Sequence, residues 1–150
     1  MNKRTSRFFI FCMAGLFLGA CQSNKVQNII GTERDELVKA AEPFEDNLIG
    51  ALNSGDFTTF SKNFDTTMKS SFKEADFTNM RQTFASKLGD YQSRTVAQVQ
   101  STTANGQTIY LLSYTLQYSK SKAVTQRLVL TSSQPYQVTG LWYNSPELTQ

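Results

Sequence analysis

The stretch "TIYLLSYTLQY", Thr108 to Tyr118, alternates regularly and fixes the kind of structure that surrounds it. Side chains point to opposite faces of a β-strand at every step, so this segment predicts a strand with one aromatic and aliphatic face. That face carries Tyr110, Leu112, Tyr114, Leu116 and Tyr118, and the opposite face carries Ile109, Leu111, Ser113, Thr115 and Gln117.

The tyrosines of this strand have two interpretations. They could line a pocket in which the hydroxyls of Tyr110 and Tyr114 orient a ligand, with Arg127 or Trp142 contributing from neighbouring strands. They could instead pack in the core and across strands, with the hydroxyls at the solvent-exposed border of the core. The alternation favours packing, and the pocket residues are kept as candidates for ligand binding.

Further strands are predicted on both sides of this one. Asn105-Gly106 is the strongest short-range hairpin signal in the chain, and Ser133-Gln134-Pro135 indicates a later turn. β-branched and aromatic residues dominate from Tyr91 onward. We expect four strands, at about 91–103, 107–118, 122–131 and 136–144.

Helices are predicted before the strands. From Thr32, which could cap a helix together with Asp35, apolar residues recur at helical spacing, and Pro43 should kink or divide that helix. Gly55 and Asp56 predict an end and a new start, and a last helix should end at Gly89. Apolar positions of the first helix are Leu37, Ala41, Phe44, Leu48, Ala51 and Leu52, and those of the last are Phe77, Met80, Phe84 and Leu88. This order predicts an α+β domain in which helices pack on an antiparallel four-stranded sheet.

The N-terminal residues have the layout of a secretory signal. Three cations in "MNKRTSR" precede an apolar run, and Phe8 to Ala20 is 13 residues, about 20 Å of helix, too short to span a hydrocarbon core of about 30 Å. Leu18-Gly19-Ala20-Cys21 resembles the bacterial lipobox. The resemblance implies that the thiol of Cys21 receives a diacylglyceryl group and becomes the mature N-terminus. We therefore expect a signal peptide at 1–20, a lipidated tether at 21–31 and one domain at 32–150.

Charge and cysteine content narrow the classes of partner. Cys12 would be removed with the signal, which leaves an acylated Cys21 and no disulfide. Three of the 15 Lys and Arg residues lie in the signal, so 12 basic residues face 12 acidic ones in the mature chain. This balance gives no support for nucleic-acid binding. Gln22 after the cysteine fits sorting to the outer membrane if the source has two membranes.

A family resemblance is carried by three motifs. These are "GDFTTFSKNFDTTMKSSF" at Gly55 to Phe72, "LGDYQSR" at Leu88 to Arg94, and "VTGLWY" at Val138 to Tyr143. They resemble a bacterial domain-of-unknown-function family that is similar to the nuclear-transport-factor-2-like superfamily. That superfamily implies a cone-shaped α+β fold with a curved sheet. One such fold hosts enzymes, carriers and interaction modules, so it implies no particular function.

The residues available for chemistry exclude several classes of site. The chain has no histidine, which removes the commonest general base, the usual serine triad and most zinc sites. We predict no cofactor and no metal. Asp65 is a candidate carboxylate, although Thr66 and Thr67 after it also favour a cap or turn.

Three functions follow as hypotheses. The first is a lipid-anchored envelope protein, non-enzymatic, that binds a small apolar ligand or an envelope protein near the membrane. The second is a lyase or isomerase with Asp65 as base and Tyr114 as proton donor. The third is a structural homo-oligomer, with a homodimer as its simplest form.

Overall fold

The structure, a computed structural model, describes residues 25–104 and 106–149. Four helices precede most of the sheet: α1 (Gly31–Ser54), α2 (Phe57–Ser61), α3 (Thr66–Ser71) and α4 (Glu74–Lys87). The strands are β1 (Gln27–Asn28), β2 (Tyr91–Ala104), β3 (Gln107–Tyr118), β4 (Val124–Thr131) and β5 (Val138–Asn144), and a short 3-10 helix, Pro146–Thr149, follows them. The predicted α+β class is confirmed. The predicted signal peptide, Cys21 and the first part of the tether lie outside the described residues.

The sheet is antiparallel and its strands follow the chain in the order β1-β2-β3-β4-β5. Ala104 pairs with Gln107, as the predicted hairpin requires. The prediction of four strands was wrong, because β1 adds a fifth strand within the segment assigned to the tether. Gln27 pairs with Ser101 and Asn28 with Gln100. A strand of two residues is too short to show an alternating pattern in the sequence.

One helix, α1, runs without interruption through Pro43, so the predicted division at this proline was wrong. Thr32 was also wrongly predicted as its cap. The helix begins one residue earlier, at Gly31, and its N-cap residue is Ile30, which makes no side-chain cap hydrogen bond. At the other end Gly55 has φ 80° and closes the helix as predicted.

The motif between Gly55 and Phe72 combines caps with an aromatic cluster. Asp56 accepts a hydrogen bond from the backbone N–H of Thr59, and Asp65 accepts one from Met68, so each aspartate begins a short helix. The helices that they begin direct phenylalanines into one cluster, in which the ring centroids of Phe60 lie 4.8–5.7 Å from those of Phe64, Phe72 and Phe77. Such aromatic pairs add to the free energy of area burial.

The core lies between the helices and one face of the sheet, here called the inner face. Leu112, Tyr114, Leu116 and Tyr118 of β3 are all buried there, and Phe77, Met80 and Phe84 of α4 are buried opposite. The aromatic and aliphatic face of the stretch from Thr108 to Tyr118 therefore packs against the helices. Among the described residues, no helix is long and apolar enough to cross a membrane.

Two glycines offer a matched test of the close contact between the backbone of β5 and the ring of Trp142. A Cβ at Gly140 would overlap the ring of Trp142, whereas a Cβ at Gly50 in α1 would meet nothing within 4 Å. We expect Gly140→Ala to lower the free energy of unfolding by about 1–3 kcal/mol, the usual cost of overpacking.

Gly50→Ala should raise the free energy of unfolding by about 0.5–1 kcal/mol, since alanine restricts the unfolded chain and favours helix. Urea unfolding followed by circular dichroism measures both, and Trp142, the one tryptophan of the chain, reports on Gly140→Ala directly. Equal stability of the two variants would contradict the close packing at Gly140.

Candidate functional site

A polar row crosses the inner face of the sheet. The strand register places Tyr114 of β3 beside Gln126 of β4, and Gln126 beside Tyr143 of β5. Neighbouring strands are about 4.8 Å apart, so these three side chains form a continuous row on one face. Gln126 is fully buried, which is rare for an amide side chain.

Glu45 of α1 completes this row from the helical layer. Its side chain has no exposed surface, and its Oε1 accepts a hydrogen bond of 3.0 Å from Nε2 of Gln126. We call Glu45, Gln126 and Tyr143 the polar cluster. It lies in an interior that is otherwise almost entirely apolar.

The hydrogen-bonding capacity of the polar cluster is only partly used. Glu45 Oε2, Gln126 Oε1 and the hydroxyl of Tyr143 are all buried, and none of them has a hydrogen-bond partner. Leaving a buried polar group unpaired costs about 1–3 kcal/mol. Three such atoms in one place are a feature that stability alone does not favour.

Burial controls the ionisation of this cluster. It raises the pKa of Glu45 to about 7, although the hydrogen bond from Gln126 and the positive charge of Arg94 oppose the rise. Burial and the nearby Glu45 carboxyl hold the pKa of Tyr143 well above its ordinary value. Arg94 itself makes an ion pair of 2.7 Å with Asp46, the residue after Glu45. Near pH 7 the Glu45 carboxyl can therefore gain or lose a proton.

A groove of about 320 Å³ lies between α1, α4 and the ends of β2 and β3, and no residue of the polar cluster lines it. Its lining includes Ile49, which follows Glu45 by one helical turn, and Phe84 and Tyr118. The ring of Phe84 meets those of Tyr143 and Tyr118 edge to face, at centroid distances of 4.9 and 6.1 Å. Phe84 therefore separates the groove from the polar cluster.

The candidate residues from the sequence fall on different surfaces. Tyr114 is buried in the polar row, and Tyr110 is half-buried on the same face near a smaller groove. Arg127 and Trp142 pair with each other on the opposite, outer face, where Arg127 is exposed. These four residues consequently do not line one pocket.

Asp65 is engaged elsewhere. Its carboxylate caps α3 and its backbone N–H bonds to the carbonyl of Val138. Val138 precedes Tyr143 by five residues, about 17 Å along a strand. Asp65 and Tyr114 are therefore not brought together as an acid–base pair.

The sequence reasoning missed Glu45, although a signal was present. Leu37, Ala41, Leu48 and Leu52 define the buried face of α1, and Glu45 stands four residues after Ala41 and three before Leu48. A carboxylate at the centre of an apolar helical stripe indicates a buried acidic residue. No three His, Cys, Asp or Glu side chains of the described residues are grouped so that they could hold a metal ion.

Comparison with known families gives one match. The family model described as "Protein of unknown function (DUF3887)" matches residues 46–131, more than half of the chain. The chain belongs to this family. The expectation of an uncharacterised domain family is thereby confirmed. Neither the curated proteins nor the solved structures gave a match.

The DUF3887 match spans from the middle of α1 to the end of β4. Gln126 and Arg94 are inside it, and Glu45 and Tyr143 are outside. The polar cluster therefore joins residues of the matched range to residues before and after it.

The ionisation of Glu45 predicts an unusual pH dependence. Because its folded pKa is raised from 4.5 to about 7, the folded protein binds one proton more than the unfolded chain between these values. Stability should fall as pH rises through this window, by about 3 kcal/mol in all, because one bound proton changes the free energy of unfolding by about 1.36 kcal/mol per pH unit. Glu45→Gln should remove the fall.

The measurement is urea unfolding at a series of pH values from 4.5 to 8. Glu42→Gln is the control, because Glu42 is exposed on the same helix. It should leave the pH dependence as in the wild type. A Glu45→Gln variant that keeps the full pH dependence would show that another group is responsible.

Proposed function

We propose that this DUF3887 protein is a lipid-anchored envelope protein whose domain binds a small ligand at the polar cluster. The observation that carries the proposal is the set of unfilled hydrogen-bonding atoms of Glu45, Gln126 and Tyr143. Binding sites are mostly apolar with a few placed polar groups, which is the composition of this interior. A ligand that supplies a donor to Glu45 or Gln126 would recover the free energy lost at these atoms.

The groove provides the approach to the polar cluster. Its lining combines apolar side chains such as Ile49 and Phe84 with polar ones such as Asp90, which suits a ligand that has both an apolar and a polar part. Such a ligand would reach Tyr143 only if the ring of Phe84 turned aside, because this ring lies against that of Tyr143. A protein partner cannot reach atoms that have no exposed surface. The buried cluster therefore favours a small ligand over an envelope protein.

The cone of the nuclear-transport-factor-2-like superfamily is part of the same proposal. Two features support it. The helices cover one face of the sheet, and extra residues interrupt the register of β2 and β5, where a bulge bends a strand. A sheet curved in this way would enclose the inner face around the polar cluster.

Tyr143→Phe tests the binding site without disturbing the fold. The hydroxyl that it removes has no partner in the chain, so stability should stay equal or increase, whereas loss of a hydrogen bond to the ligand should weaken binding about 2- to 10-fold. Native mass spectrometry of gently purified protein measures the fraction that retains ligand.

Tyr136→Phe is the matched control, since Tyr136 lines the smaller groove and not the polar cluster. It should retain ligand as the wild type does. Equal retention in Tyr143→Phe and Tyr136→Phe, or no bound compound in any of the three proteins, would contradict the proposal.

A second function, general acid–base catalysis, is favoured by one observation. The pKa of Glu45 lies near 7, where a carboxyl group can both take and give a proton. The base would then be Glu45 and not Asp65. Recovery of the bound compound unchanged after incubation supports binding alone, and conversion that Glu45→Gln abolishes supports catalysis.

The lipid anchor rests on the sequence of residues 1–21. The positive start, the short apolar run and Leu18-Gly19-Ala20-Cys21 support export and acylation of Cys21. The membrane that carries the anchor would be the cell membrane, or the outer membrane of a source with two membranes.

Intact mass spectrometry tests the anchor. The wild-type chain should begin at Cys21 and carry the added mass of a diacylglyceryl group, because the thiol is the nucleophile for this modification. Cys21→Ala should accumulate as the unacylated precursor. Cys12→Ala removes the other cysteine and should be processed normally, and an unmodified wild-type chain would refute the assignment.

A further inference from the structure

Two large apolar side chains stand out at the start of the domain. Val26 is 52% exposed and Ile30 is 79% exposed, and these two are the exposed large hydrophobic residues of the part of the chain that the structure describes. They flank β1. We call Val26 and Ile30 the apolar edge.

The apolar edge cannot fold inward, because β1 holds it in place. Gln27 and Asn28 pair with β2, and the next residue, Ile29, is buried and donates its backbone N–H to the carbonyl of Val99 at 2.9 Å. The chain is thus attached to β2 as far as Ile29, directly before the turn into α1. Because successive side chains of an extended chain point to opposite sides, the burial of Ile29 leaves Ile30 exposed.

Asn28 shows which way the apolar edge faces. Its side-chain oxygen accepts hydrogen bonds of 3.0 Å from the amides of Gln98 and Gln100. These glutamines pair with Ser113 and Leu111, on the outer face of the sheet. Alternate residues of an extended chain share a side, so Val26 and Ile30 lie on the same side as Asn28, away from the helices.

The distance to Cys21 identifies what this edge meets. Val26 is five residue steps after Cys21, and an extended chain of that length reaches at most about 18 Å. If Cys21 is acylated, as the proposed function holds, Val26 is confined to the immediate neighbourhood of the bilayer. An apolar side chain so placed gains free energy by leaving water.

We infer that the apolar edge rests on the lipid bilayer, with Val26 and Ile30 inserted at the interface and the sheet edge turned to the membrane. The inference rests on the lipid anchor of the proposed function. Charge does not drive the contact, because two cations, Lys25 and Arg34, are offset by three acidic residues close to them in the chain. These are Glu33, Asp35 and Glu36. The contact is therefore apolar and insensitive to salt.

The experiment uses the full acylated chain with Val26→Cys or Ile30→Cys. Since the sulfur of Cys21 is blocked by the lipid, the new thiol alone takes a fluorescent label. The control is Asn79→Cys, because Asn79 is exposed on α4 on the opposite side of the sheet and carries the same label. The tryptophan emission of Trp142 checks that each variant is folded.

The labelled proteins are bound to vesicles of phosphatidylethanolamine and phosphatidylglycerol. Fluorescence quenching is then measured with a spin-labelled lipid or with aqueous acrylamide. We expect the lipid quencher to reduce the fluorescence at positions 26 and 30 and not at 79, and acrylamide to do the reverse, equally at low and high salt. Intact mass is measured first. An unacylated Cys21 would overturn the anchor and the inference together.

An acylated chain can still refute the contact alone. Labels at 26 and 30 that acrylamide reaches as easily as the label at 79 would overturn it and leave the anchor standing. Labels shielded from acrylamide but not reached by the lipid quencher would show that a protein or a second copy covers the edge, which also overturns contact with the bilayer.

Discussion

The hydrogen bond between Gln126 and Glu45 joins the two layers of this domain where neither is exposed to water. α1 and β4 must both be in place before either polar side chain has a partner. An amide or a carboxyl buried alone is costly, so the helix and the sheet are held in one relative position by this contact. The apolar packing around it contributes most of the stability, and the polar contact adds a second requirement on where α1 lies. A buried polar contact of this kind is sensitive to any shift of α1 along the sheet.

The sequence predicted the parts of the fold that local chemistry determines. Asp56 and Asp65 were each expected as caps, and each accepts a backbone hydrogen bond three residues on. The alternation around Tyr114 predicted a strand and, as the favoured interpretation, its buried face. These features depend on residues close together in the chain, so they can be predicted without knowledge of the tertiary structure.

The parts that the sequence did not predict depend on distant pairing. Arg127 and Trp142 were grouped with Tyr114 because they lie on neighbouring strands, but a strand's register decides which face each residue occupies. Glu45 was passed over because a glutamate on a helix is ordinarily solvated, and only the position of Gln126 gives it a partner. The strand β1 is defined by backbone pairing with β2, which its side chains do not encode.

The pairing of β1 also sets a length. With Gln27 and Asn28 held against β2, the five residue steps from Cys21 to Val26 span at most about 18 Å, whereas the ten steps from Cys21 to Gly31 would span at most about 36 Å. Two paired residues thus halve the height to which an anchored domain could rise. If Cys21 carries the proposed lipid, the pairing of β1 therefore keeps the domain close to the membrane surface.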